Sequence, residues 1–269
     1  MHDGSLGQPI AHGRTADVYA WKDGYILKRF HPWFDLENIK YEADINRAVY
    51  DSGLSVPAVG DVIQVDGCNA LIYERIDGPT MFEAVQEKPW RVFAYGKRLG
   101  NLHAQIHAYE LKPDVPSLYK QLRNKMRHAR VLPAHLQSTL LSLLEELPQG
   151  NRICHGDFHP GNVMLTTKGD IAIDWIDVTV GNPLADVART AIISLGAAAS
   201  DQIPNPLMKG FARLFHAIYL RRYFRLRPGG EHEYCRWLPI VAAARLSENI
   251  PELEEWLVAQ AQKSTYSFT

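Results

Sequence analysis

Cys154-His155-Gly156-Asp157-Phe158-His159-Pro160-Gly161-Asn162, followed shortly by Ile173-Asp174-Trp175, is the stretch on which the reading of this chain turns. Between the two segments, Val163-Met164-Leu165 and Ile171-Ala172-Ile173 are apolar runs flanking Thr166-Thr167-Lys168-Gly169-Asp170, the pattern of a hairpin. A turn centred near Lys168 sets Asn162 opposite Asp174, and directly opposed residues have Cβ atoms about 4.5–5.5 Å apart. Two oxygen donors then meet at the open end of the hairpin. So sparse a set suits Mg²⁺, which prefers few protein oxygens and keeps waters and substrate phosphates. Asp157, on the loop just before the hairpin, is left free to take a proton from an incoming hydroxyl.

Two other readings of these residues stay open at this level. Taken singly, His155, Asp157 and His159 are ordinary loop polar residues, and Gly161-Asn162 is a turn. Taken together, His-x-Asp-x-His is a pattern that holds a metal for phosphoester hydrolysis. That chemistry needs further ligands, and His103, His107, His128 and His135 lie in helix-like segments without an accompanying carboxylate motif.

The block resembles the catalytic motif of the aminoglycoside phosphotransferase and choline kinase-like family, whose fold is protein-kinase-like. The resemblance is close from His155 to Asp174, Gly181-Asn182-Pro183-Leu184-Ala185-Asp186-Val187-Ala188 also fits, and weaker features extend it over residues 8–200. Asp157 and Asn162 have the five-residue separation of catalytic-loop Asp and metal-binding Asn in kinases. Gly156 stands where protein kinases have Arg, Trp175-Ile176 where they have Phe-Gly, and the Ala-Pro-Glu ending is absent, which points to small-molecule acceptors.

The resemblance implies an α+β bilobal fold. A small antiparallel-sheet lobe with one helix, residues 1–77, would bind nucleotide; a larger, mostly helical lobe, residues 78–269, would carry catalysis and the acceptor. It implies ATP as phosphoryl donor (GTP is not excluded), Mg²⁺ on Asn162 and Asp174, Asp157 as base, and a small hydroxylated acceptor. Backbone groups near Glu74 and Ile76 would meet the adenine edge, and Asp186 would steady the catalytic loop. A pseudokinase, with the fold but no turnover, is the alternative, although every expected catalytic residue type is present.

The first eighty residues predict strands over 8–11, 16–21, 25–30, 60–65 and 70–76, with a helix over 35–50 capped by Asp35. The turn at His12-Gly13-Arg14-Thr15 would cover the nucleotide phosphates with backbone N–H groups around Gly13. Lys28 shares a strand face with Ile26 and Phe30. Glu42 falls in the helical stripe Ile39, Ile45, Val49 and faces the sheet, whereas Asp44, near Lys40 and Arg47, is a surface charge. A carboxylate on an apolar face needs a partner. Pairing Glu42 with Lys28 aims the ammonium at the α- and β-phosphates, a contact worth about 4 kcal/mol before desolvation at an effective dielectric near 20.

Beyond Thr80 the period becomes helical. Val92, Tyr95, Leu99, Leu102 and Ile106 mark one helix and Leu136, Leu140, Leu143, Leu144 and Leu147 another. Arg123, Lys125, Arg127, His128 and Arg130 form a basic segment between them, read as a solvated face, with a substrate or phosphate role as the alternative. Asp177 reads as a solvated loop residue, and Glu231, Glu233, Glu248 and Glu252 are sparse carboxylates that a polyamine could use. The 269 residues are 46% hydrophobic and 22% charged, with net charge −1, which offers no bulk attraction to nucleic acid or anionic membrane. Three scattered cysteines make no disulfide framework, no run suits a membrane span, and the N-terminus lacks signal-peptide features, so a cytoplasmic protein is expected. Oligomeric state is not written in the sequence.

Overall fold

Strand segments punctuated by tight turns give way to amphipathic helices at Thr80, and the structure follows that change of period. It is a computed structural model describing residues 6–22, 24–110, 115–200 and 205–263. Among these residues β1 (Ala11–His12), β2 (Ala16–Ala20), β3 (Tyr25–Phe30), β4 (Val59–Val65) and β5 (Cys68–Glu74) form one antiparallel sheet in the order β1-β2-β3-β5-β4. β1 is shorter than expected, and β5 ends at Glu74, so Ile76 lies beyond the strand. Asp23, in the expected turn before β3, and the N-terminal Met1 to Ser5 lie outside the described residues.

Helix α1 (Leu36–Asp51) packs on one face of this sheet, with Ile39 and Ala43 buried against Phe30 and Leu71. The Asp35 side chain caps its N-terminus by accepting from the Glu37 N–H. Asp44 is exposed and pairs with Arg47, as its position predicts.

The crossing into the helical part is fastened to the hairpin over residues 163–172. Gly78 has φ 148°, and a Cβ there would meet the Leu165 carbonyl oxygen at 2.2 Å. The Leu165 N–H donates to the Pro79 carbonyl at 2.9 Å. Thr80 and Glu83 then form a capping box that starts α2 (Met81–Glu87).

α3 (Val92–Ile106), α4 (Leu118–His128), α5 (Ala134–Glu146), α6 (Pro183–Ala199), α7 (Pro206–Leu226), α8 (Glu231–Arg245) and α9 (Glu254–Gln262) build the larger part. Its core runs to Ala261 and takes in Ile45 and Val49 of α1 as well. The expected basic segment is largely α4, which buries Leu118, Leu122 and Met126 and exposes Arg127 and His128, but Lys125 turns inward to Glu248 rather than to solvent. Between α5 and α6 run β6 (Arg152–Cys154), β7 (Val163–Thr166), β8 (Gly169–Ala172) and β9 (Thr179–Gly181). β7 pairs with β8 and β6 with β9. Arg98 of α3 forks onto both oxygens of Asp170 and holds the hairpin to the helices. No helix among the described residues is long and apolar enough to cross a membrane.

Candidate active site

From the sheet side, Lys28 points towards α1 as the strand alternation requires. Its Nζ lies 2.7 Å from Glu42 Oε1, and the side chains are 21% and 4% exposed. A third group completes the pair: the Tyr73 hydroxyl donates to the same Glu42 oxygen at 2.7 Å from the neighbouring strand β5. Two donors on one oxygen of a buried carboxylate fix its rotamer and, through it, the ammonium.

The Gly13 turn forms as expected, with its N–H donating to the Ala16 carbonyl at 2.9 Å. Glu74 uses its N–H and carboxylate on Ala58, at 2.8 and 3.0 Å. Ile76 is half-buried, and its backbone polar groups bond to none of the described residues.

The loop after β6 is set by Gly156. Its φ is 81°, and a Cβ there would come within 2.3 Å of the Asp177 carbonyl oxygen, so no larger residue fits. His155 is fully buried between Trp175 and Phe158. Its Nε2 donates to the Ile173 carbonyl at 3.1 Å and its Nδ1 accepts from the Asp157 N–H at 3.2 Å. With both ring nitrogens used, His155 has none to offer a metal, so the His-x-Asp-x-His pattern lacks one of its ligands.

Asp157 and Asn162 meet directly. The Asn162 Nδ2 donates to the Asp157 carbonyl at 2.9 Å and to its carboxylate at 3.2 Å. Burial pushes the Asp157 carboxyl up, but His159 and Arg189 outweigh it and hold it at about 2. His159 Nε2 lies 3.5 Å and Arg189 Nη2 3.9 Å from that carboxylate.

Asp174 does not stand opposite Asn162. The register pairs Val163 with Ala172, and the Ile173 N–H donates to the Asn162 carbonyl at 3.0 Å. The turn is one residue tighter than the sequence suggests, because the register closes Thr166 directly on Gly169. Asp174 instead adopts a left-handed backbone, φ 64°, and its Oδ1 lies 3.9 Å from Lys28 Nζ.

The amide nitrogen of Asn162 is committed to Asp157, while its Oδ1 accepts from none of the described residues. That free oxygen and the half-exposed Asp174 carboxylate are hard donors, few in number, and fit a magnesium ion that keeps waters and phosphates.

Beneath the loop, Asp186 of α6 is a buried hub. Its Oδ2 accepts from the His155 N–H at 2.6 Å, His103 Nε2 at 3.0 Å and His107 Nε2 at 3.2 Å, and its Oδ1 accepts from the Gly156 N–H at 2.9 Å. The Tyr219 and Tyr223 hydroxyls bond the other ring nitrogens of the two histidines, each at 2.7 Å. Burial lowers His103 to about 4 and lowers His107 as well, so both stay neutral and donate to Asp186. Burial pushes the Asp186 carboxyl up, but these donors hold it well below its ordinary value. Although the three groups could in principle hold a metal, each nitrogen and oxygen is already bonded, and we read the cluster as a structural clasp.

Tyr219, Tyr223 and Arg189 escape a reading of the sequence. His103 on α3 and His107 at its C-cap are four apart, and Tyr219 and Tyr223 are four apart on α7. That matching spacing is the available signal. Arg189 stands three residues after Asp186, on the same face of α6, and its Nε donates to the Gly156 carbonyl at 3.0 Å. Asp177 is half-buried rather than solvated, and burial raises its carboxyl.

The phosphotransferase enzyme family profile (APH) matches residues 7–233, and the chain belongs to that family. Solved structures of the same protein-kinase-like fold cover nearly all of it. A choline/ethanolamine kinase family protein from Mesorhizobium loti superposes with a TM-score of 0.63 at 17% identity, over 99% of this chain and 90% of its own. A thermostable mutant of aminoglycoside phosphotransferase APH(4)-Ia, in ternary complex with AMP-PNP and hygromycin B, gives 0.66 at 14% identity, over 100% and 96%. The amicoumacin kinase hAmiN, in complex with AMP-PNP, Ca²⁺ and Ami, gives 0.61 at 18%, over 96% and 86%. No curated protein matches in sequence.

Proposed function

We propose that the protein transfers the γ-phosphoryl group of ATP to a hydroxyl of a small molecule. Its nucleotide-binding part spans residues 1–77 and its catalytic and acceptor-binding part residues 78–269. The observation that carries this reading is the 3.9 Å approach of Lys28 to Asp174, which brings the sheet and the hairpin to one point. Nucleotide-bound relatives of the same fold support the choice of donor.

Lys28, held by Glu42 and Tyr73, positions the α- and β-phosphates. The Gly13 turn offers backbone N–H groups to the phosphates, and the unbonded backbone of Ile76, next to Glu74, offers an edge to the adenine. Asn162 and Asp174 would hold Mg²⁺, which neutralises phosphate charge when bound.

Asp157 orients the acceptor hydroxyl and takes its proton. A carboxylate held at about 2 is a weak base, so the proton moves late, as the hydroxyl oxygen becomes acidic on bonding to phosphorus. Orientation is then its larger contribution, in keeping with a reaction governed by positioning and electrostatics.

The test is ADP formation from MgATP across hydroxylated acceptors, with free phosphate measured alongside. Acceptor-dependent ADP without free phosphate is expected. Free phosphate from simple phosphoesters would favour a hydrolase, and tight MgATP binding with no acceptor-dependent turnover a pseudokinase.

A further inference from the structure

Beside the catalytic loop lies a narrow recess whose wall is apolar at Leu118 and Val241 and whose charged residues are Lys125, Arg189, Arg245 and Asp186, the last already committed to its clasp. Three of these are cations from three different helices. Gly156, which also lines it, adjoins Asp157, and Arg189 reaches both, so the recess lies beside that carboxylate.

The cations are incompletely satisfied. Arg245 is only 12% exposed in its side chain, yet its buried Nε and Nη1 have no hydrogen-bond partner among the described residues. Glu248 is the nearest counter-charge, with Oε1 2.7 Å from Arg189 Nη1 and 3.6 Å from Lys125 Nζ, and Oε2 3.6 Å from Arg245 Nε. Its Oε1 is buried and makes no aligned hydrogen bond even so. Asp157 and Asp177 also face the cluster. Asp157 is committed to Asn162 and His159, and Asp177 is a half-buried carboxyl that burial raises. Burial and the neighbouring Arg189 push the Arg245 guanidinium down to about 10.

Buried donors left unbonded are rare in native proteins and need a reason. A guanidinium edge matches two parallel oxygens of a carboxylate or phosphate. We propose that this recess receives an acidic group, a carboxylate or a phosphate, carried by the acceptor whose hydroxyl faces Asp157. The inference rests on the phosphotransfer reading above and narrows its substrate class.

A polyamine finds little here. Among the four carboxylates that could have attracted one, Glu248 is drawn to the cations, and Glu233 accepts from Asn182 and Trp237 at 2.7 and 3.1 Å.

Matched acceptors test the proposal in the wild-type protein with MgATP: glycerate and glycerol 3-phosphate against glycerol, gluconate and glucose 6-phosphate against glucose, and kanamycin as a polycation. The acids should exceed their neutral partners at least about tenfold in kcat/KM, the worth of a charged hydrogen bond. The carboxylate and phosphate arms separate the two sources of the oxyanion. Arg245→Gln should erase the preference through KM with MgATP affinity unchanged, and Arg245→Lys should restore part of it. Lys125→Met, at a more exposed position, should weaken it without threatening the fold. Preference for neutral or polycationic acceptors, failure of every acid, or acid turnover indifferent to both Arg245→Gln and Lys125→Met would overturn it. Loss of MgATP binding in the wild type would instead sink the underlying phosphotransfer reading.

Discussion

Asp174 stands one residue beyond the position opposite Asn162, and its left-handed backbone carries its carboxylate to within 3.9 Å of Lys28. A left-handed conformation costs a residue with a Cβ about 1–2 kcal/mol, least for Asp and Asn. Its presence at the junction of sheet and hairpin supports the metal-binding role proposed for it.

Asp174→Asn keeps the residue type that tolerates this backbone and removes the charge. Nucleotide affinity should lose its dependence on Mg²⁺ while the melting temperature changes little. An unchanged magnesium titration would remove Asp174 from the metal-binding set.

Lys28 depends on a relay from a second strand. Glu42→Ala should lower kcat/KM for ATP by roughly ten- to a hundredfold, the range for a lost charged hydrogen bond. Tyr73→Phe should act in the same direction but more weakly, because Lys28 still holds Glu42. Steady-state kinetics would show the ranking, and equal effects of the two substitutions would contradict it.

Asp186 carries four hydrogen bonds in full burial. Asp186→Ala leaves those donors unpaired and should cost about 3–5 kcal/mol in denaturant unfolding. Because two of the donors are the N–H groups of His155 and Gly156, activity should fall even where the protein stays folded. Near-wild-type stability would mean that the histidine–tyrosine clasp holds the loop unaided.

The fold and the site are legible in the sequence to different depths. Lys28 and Glu42 can be paired from the residues alone, because one carboxylate on an apolar helix stripe requires a cation and strand alternation supplies one. The Asp157 to Asn162 spacing is local and holds for the same reason. The hairpin register is not legible: a one-residue change of turn moves every partner, and nothing in Thr166 to Asp170 fixes the turn length. The resemblance already places Asp186 under the loop, but Tyr73, Arg189 and the tyrosines of the clasp come from segments remote in sequence, and only packing reveals that they meet. Helix α4 hides behind its charges, since the basic residues outnumber its buried Leu118, Leu122 and Met126.

Acidity should unfold the protein from within that clasp. Burial, with the neighbouring His107, lowers His103 from 6.5 to about 4, so between those values the unfolded chain binds more protons than the folded one. Stability is complete above pH 6.5 and falls as pH drops towards 4, by about 3 kcal/mol for His103 alone. Burial places His216 at about 4 as well and adds to the same window. Asp157, held at about 2, loses its contribution only below its ordinary value of 3.8, outside this range. Melting temperatures measured from pH 7.5 to 5 should fall steadily, and replacing His103 by Gln should flatten the slope. A flat wild-type profile would contradict neutral buried histidines.

The most direct test of the phosphotransfer centre is Asp157→Ala, measured both for MgATP affinity by calorimetry and for acceptor-dependent ADP formation. Orientation and proton transfer by one positioned side chain are worth about a hundred- to ten-thousandfold. Turnover should fall by that much with nucleotide affinity preserved within about threefold. Turnover that survives the substitution, or affinity that falls in step with it, would show that Asp157 is not the group that meets the acceptor.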